Sequence, residues 1–111
     1  GFSQGCAIAL HTGLRHPTRL AGIMALSGYL PLAGKLPSEA SPANRMTPIF
    51  MAHGVADPMV VLARGEASRD ALQTMAYTVQ WHTYPMQHSL HPREIQDISG
   101  FLKSVLAPPA R

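Results

Sequence analysis

The first five residues, Gly1-Phe2-Ser3-Gln4-Gly5, fit the pattern G-x-S-x-G, and this constrains the fold more than anything else in the chain. The pattern sets a serine on a sharp turn between a strand and a helix, where glycines are needed because side chains would collide with the tightly folded backbone. A helix must therefore follow Ser3. The stretch from Gly5 to Arg15 supplies one, with apolar Ile8, Leu10 and Leu14 and helix-favouring Ala7 and Ala9, and His16-Pro17 would end it. Because the chain opens inside the motif, without its preceding strand, we expect a piece of a longer protein.

Three later segments read as strands. Ala21 to Gly28 is a short apolar run bounded by glycine, the pattern of a strand covered on both faces, and Pro48 to Gly54 is a second such run. Tyr77 to Pro85 alternates loosely, is rich in β-branched and aromatic residues, and is stopped by Pro85. Between the first two strands, Gly28 to Pro48 holds prolines, glycines and serines with no sustained period, which predicts a long loop with room for a helical turn. Val60 to Met75 has the spacing of an amphipathic helix. A last helix starts near Pro92, with Ile95, Ile98, Leu102 and Val105 as its expected buried stripe and Pro108-Pro109 as its stop. Helices and strands thus alternate, an α/β pattern with about three parallel strands and flanking helices.

Composition narrows the function. With 46% hydrophobic and 14% charged residues, the 111-residue chain has the make-up of a single folded unit. The net charge of +3 is spread over single, scattered basic residues without interleaved aromatics, which argues against nucleic acid as a partner. No apolar run approaches the roughly twenty residues of a membrane-spanning helix, and no export signal is visible, so the expected compartment is the cytoplasm. Cys6, the sole cysteine, has apolar neighbours and reads as a small buried side chain. The six histidines form no H-E-x-x-H or Cys/His cluster, so no metal site is expected.

A serine hydroxyl is a poor nucleophile until a base takes its proton, and a histidine base needs a carboxylate to hold its tautomer. Of the histidines, His11 and His16 belong to the first helix or its end, His53 ends a strand and His82 lies within one. His88 sits in the loop between the last strand and the last helix, where a base reaching back to Ser3 is expected, and His91 stands at the helix start. Among the acids, Glu39 lies in the long loop, and Glu66, Asp70, Glu94 and Asp97 fall on helices. Asp57 alone occupies a loop just after a strand, where it could equally serve as a turn former. The candidate catalytic set is Ser3, Asp57 and His88.

Four motifs together, GFSQG with its helix, Leu-Ser-Gly-Tyr-Leu-Pro, His-Gly-x-x-Asp-Pro and His-Ser-x-x-Pro-x-Glu-Ile, resemble the phospholipase/carboxylesterase family of α/β-hydrolases in order and spacing over nearly the whole chain. Cys6 departs mildly, standing where many members have a second glycine. The resemblance implies that residues 1–111 are the C-terminal portion of a single α/β-hydrolase domain, starting at the nucleophile elbow, with the upstream half absent. It gives Ser3, Asp57 and His88 the triad roles and the backbone N–H of Gln4 one oxyanion contact, the other coming from an upstream loop. It implies a small-molecule ester or thioester substrate and no cofactor. Leu30 and Met59, apolar and beside the site, are candidates for the acyl pocket. The expected reaction is hydrolysis of short to medium acyl esters, with an acyl-protein thioesterase, a lysophospholipase or a non-catalytic remnant as alternatives; oligomeric state is open.

Overall fold

The computed structural model describes residues 1–107. Three strands, β1 (Ile23–Leu26), β2 (Ile49–Gly54) and β3 (Val79–Tyr84), form a parallel sheet in the order β1-β2-β3. Ile49 of β2 pairs with Ile23 on one side and Val79 on the other. The helices α1 (Gln4–Gly13), α2 (Leu36–Glu39), α3 (Leu62–Thr74) and α4 (Pro92–Val105) complete the α/β order read from the sequence. No helix of the described residues is long and apolar enough to cross a membrane.

The central strand shows why a continuous apolar run was the right signal for a doubly covered strand. All six residues of β2 are buried, and alternate ones face opposite layers. Ile49 and Met51 join Leu10, Leu14 and Leu72 on the side of α1 and α3, whereas Phe50 and Ala52 join Tyr84 and Phe101 on the side of α4. At the outer edge of β1, Phe2 forms an isolated parallel bridge with Leu26: the Gly1 amine donates to Met24 O at 2.8 Å and Leu26 N–H to Gly1 O at 2.9 Å.

The long loop is more ordered than its composition suggested. It contains 3₁₀ turns at Ala33–Lys35 and Pro42–Asn44 besides α2. Asn44, fully buried, fastens it to the α1–β1 connection: its amide donates to His16 O and Thr18 O, and its Oδ1 accepts from Leu20 N–H and Thr47 Oγ1. A buried amide with all these bonds made costs little.

The expected stripe of α4 is rotated. Ile95 is 55% exposed and Leu102 38%, while Glu94 and Phe101 are buried and Ile98 and Val105 half-buried. The buried face is therefore 94, 98, 101 and 105, which also has helical spacing. The cause lies in the first turn: His91 caps the helix, its Nδ1 accepting from Arg93 N–H, and the Glu94 carboxylate turns back to the His91 N–H in a capping box. A glutamate at the head of the stripe hid the face from a reading that counted only apolar residues. The expected stop at Pro108-Pro109 falls outside the described residues. In α3 the buried positions are Gly65, Ser68 and Leu72, so small residues bring this helix close to the sheet.

Glu94 Oε2 has no partner among the described residues. Burial pushes this carboxyl above the usual range, and the His91 N–H offsets the effect only in part. An acid whose pKa is raised by folding stabilises the fold below its unfolded pKa, and that contribution is lost as pH rises through the folded one. Glu94→Gln keeps an oxygen for the His91 N–H without the charge. Its thermal midpoint is expected to equal or exceed that of the wild type at neutral pH, with the gap closing towards about pH 4. A variant less stable at neutral pH would show that the ionised form is welcome there.

Candidate active site

Ser3 caps α1 with φ 60° and ψ −118°, a left-handed backbone that costs a non-glycine residue roughly 1–3 kcal/mol and needs the surroundings to enforce it. The enforcement is visible: Ser3 N–H donates to Leu26 O at 2.8 Å, and the helix begins at once with Ala7 N–H and Cys6 N–H on Ser3 O. At Gly1 a Cβ would overlap the backbone of Gly5, so the glycine is required as the motif predicts. At Gly5 the expected collision is absent, because a Cβ there meets nothing within 4 Å. The close approach uses the Gly5 carbonyl rather than its Cα.

Asp57 lies beyond the end of β2 and is 4% exposed. Its Oδ1 accepts from Met59 N–H at 2.8 Å and Val60 N–H at 2.9 Å, so it does form the turn that its sequence context allows. Its Oδ2 lies 2.7 Å from His88 Nδ1. Burial pushes the carboxyl up, but the His88 bond and the two backbone N–H groups outweigh it and hold Asp57 below the usual carboxylate range. An ionised carboxylate only accepts, so Nδ1 of His88 carries the proton. In the neutral ring Nε2 is then an acceptor, and it stands 3.0 Å from Ser3 Oγ.

The loop bearing His88 joins β3 to α4 and is tied to the Asp57 loop by Ala56 N–H on Met86 O at 3.1 Å and Val55 N–H on Tyr84 O at 3.0 Å. The Phe2 ring packs against the His88 imidazole with centroids 4.9 Å apart. Residues 3, 57 and 88, distant in sequence, thus meet at the carboxyl ends of the parallel strands, where open α/β sheets place their sites.

Gln4 is the first residue of α1, so its N–H has no carbonyl one turn back and no acceptor among the described residues. Leu30, 7% exposed, lines a cavity of about 360 Å³ with Tyr29, Leu32, Arg64 and Ala67. The side chain of Met59 is 74% exposed and does not line it; this residue reaches the site through its N–H on Asp57. His11, His16, His82 and His91 stay outside the hydrogen-bonded set. His53, set aside in the sequence because it ends a strand, comes within 3.8 Å of Asp57 Oδ2; its spacing of four residues from Asp57 was the available signal. Among the described residues no three His, Cys, Asp or Glu side chains gather at metal-binding distance. Burial pushes the Cys6 thiol up to about 11, which makes it a poor nucleophile at neutral pH.

Known proteins are similar to this chain in sequence and in fold. Acyl-protein thioesterase 1 of Mycosarcoma maydis is 45% identical over 111 residues, covering 96% of this chain and 46% of its own length. The chain therefore spans about half the length of the curated relatives it matches. The crystal structure of Arabidopsis thaliana SOBER1 superimposes with a TM-score of 0.90 at 32% identity, over 96% of this chain and 51% of that one. Zea mays acyl-protein thioesterase 2 gives 0.87 at 30% identity, over 96% and 55%. Residues 1–106 also match the sequence pattern of the phospholipase/carboxylesterase group, and with these relatives and the shared fold the chain belongs to the phospholipase/carboxylesterase family.

Proposed function

We propose that the chain is the nucleophile-bearing, C-terminal portion of a serine ester hydrolase. The observation that carries the reading is the continuous hydrogen-bonded line from Ser3 Oγ through His88 to Asp57. In this reading His88 Nε2 takes the hydroxyl proton as Ser3 attacks the acyl carbonyl, and the imidazolium is stabilised by Asp57. The proton passes to the departing alcohol or thiol, leaving an acyl-enzyme that water, activated by the same histidine, hydrolyses. The Gln4 N–H is one donor to the oxyanion, and the cavity beside Leu30 takes part of the substrate's apolar portion. No cofactor enters these steps.

The leaving atom is open between oxygen and sulfur. A thioester substrate is favoured by one finding, the 45% identity to a protein named as an acyl-protein thioesterase, and a panel of matched esters and thioesters of varied acyl length separates the two.

One oxyanion donor is usually worth about 3 to 4 kcal/mol, so turnover by these residues alone is a poor measure of whether the triad assembles. A fluorophosphonate reports the nucleophile directly. The expected result is a single adduct on Ser3, located by peptide mass spectrometry and lost in Ser3→Ala. An adduct elsewhere, or none in a folded chain, would count against Ser3 as an activated nucleophile.

A further inference from the structure

Resting on the triad reading above, we infer that His53 is a positioning residue that holds Asp57 in the geometry His88 needs, acting through the backbone of Val60. His53 is the penultimate residue of β2 and is 1% exposed. Its Nε2 lies 2.6 Å from the Val60 carbonyl oxygen. A carbonyl only accepts, so this nitrogen carries a proton and donates. Val60, itself 7% exposed, is clamped at both ends: its C=O receives the His53 N–H, and its N–H donates to Asp57 Oδ1 at 2.9 Å. One residue therefore links the rigid end of the central strand to the acid of the triad.

The same Nε2 lies 3.8 Å from Asp57 Oδ2, the oxygen that receives the His88 proton. Its N–H dipole thus borders the carboxylate without competing for the bond. Among the described residues His53 has no hydrogen bond to Ser3 or His88, so its effect passes through Asp57.

The imidazole is held on its other side as well. A Cβ built on Gly65 of α3 would come within 2.7 Å of His53 Nδ1 and 3.0 Å of Cε1. Gly65 is buried, so the helix rests its backbone on the ring. Trp81 of β3 stacks nearly parallel at 6.3 Å, and the Arg69 guanidinium lies over the indole at 4.9 Å. Ring, turn and helix fix one another, and the Asp57 loop gains a rigid support that a surface loop lacks.

Two substitutions of similar volume isolate the bond. Glutamine at position 53 keeps an N–H near the place of Nε2, and leucine does not. We would record two readouts on the 111-residue chain: the deshielded Nδ1–H proton of His88 by NMR, and the rate of fluorophosphonate labelling at Ser3. In His53→Leu, labelling is expected to fall about ten-fold and the proton signal to vanish, since small misplacements of a catalytic group cost one to two orders of magnitude. His53→Gln is expected to recover most of both losses. Gly65→Ala, which presses on the ring without touching the triad, should lower labelling in the same direction; it keeps the test open if His53→Leu does not fold.

Equal behaviour of the glutamine and leucine variants, or a folded leucine variant with unchanged labelling and an intact proton signal, would overturn the inference. The two claims fail separately. A wild-type chain in which Ser3 takes no label counts against the hydrolase reading, while the NMR signal still reports whether His53 fixes the Asp57–His88 pair.

Discussion

Asp57→Asn is expected to slow fluorophosphonate labelling of Ser3 by about four orders of magnitude, the size seen when a triad acid is made neutral in place. The substitution is nearly isosteric, and the Asn Oδ1 can still accept from Met59 and Val60 N–H, so the turn itself survives. What changes is the partner offered to His88. Asp57 Oδ2 accepts from Nδ1 at 2.7 Å, whereas an asparagine NH₂ in its place donates. Nδ1 must then surrender its proton, Nε2 acquires it, and a donor faces the Ser3 hydroxyl at 3.0 Å. The base is lost by tautomer rather than by distance.

The measurement is the second-order labelling rate against pH, with circular dichroism and a thermal midpoint as controls for folding. His88→Ala should give a loss of similar size, and the double variant little more, because residues acting as one unit do not contribute additively. A loss of less than ten-fold in Asp57→Asn would mean that Asp57 serves as a turn former and that another group orients His88. Acidification tests the same link. Because the Asp57 carboxyl is held below the usual carboxylate range, its contribution to stability is present above the unfolded pKa and is lost as pH falls through the folded one.

The features legible in the sequence were those that depend on local geometry. A serine between glycines followed by a helix specifies the elbow, and Ser3 indeed sits there with positive φ. Apolar runs mark β1 and β2, because a strand covered on both faces has no solvent side to encode, and loose alternation of β-branched and aromatic residues marks the half-exposed β3. Asp57 and His88 were found by elimination from their places after strands, and the structure brings both within hydrogen-bond reach of the set.

What could not be read depended on polar groups that folding buries. The buried face of α4 departs from its apolar pattern because Glu94, charged in the sequence, is fully buried behind its own helix cap. His53 does not stand out in the sequence because a histidine at a strand end shows nothing of its partner: the Val60 carbonyl reaches it only once the Asp57 turn has formed. The order in the long loop rests on Asn44, whose four bonds reach residues as far as 28 positions away. Such bonds leave no periodic trace in a sequence, and Asn in a proline-rich stretch reads as a turn residue instead.

Gly54→Ala tests the other device on which the site depends, the seating of the His88 loop against the end of β2. A Cβ at Gly54 would overlap the carbonyl oxygens of Met86 and Gln87 and come within 2.9 Å of Met86 Cγ. The first two are backbone atoms of the loop that presents His88, so rotamer changes alone cannot relieve the clash. Relief requires that loop to move outwards, against the bonds of Ala56 N–H to Met86 O and Val55 N–H to Tyr84 O. Overpacking of this kind costs typically 1–3 kcal/mol, and with two backbone groups in the way we expect roughly 3 kcal/mol of stability to be lost. For a domain near 100 residues that is on the order of 12–24 °C in thermal midpoint. Ser3 labelling should fall further than the folded fraction explains, about 100-fold, because His88 moves with its loop while Asp57 stays in the turn fixed by Met59 and Val60 N–H. Gly5→Ala is the control: its Cβ meets nothing within 4 Å, and its midpoint should stay at or slightly above that of the wild type. Were Gly54→Ala to keep both its midpoint and its labelling rate, the loop would be free to shift without disturbing His88, and the close packing at Gly54 would have no part in building the site.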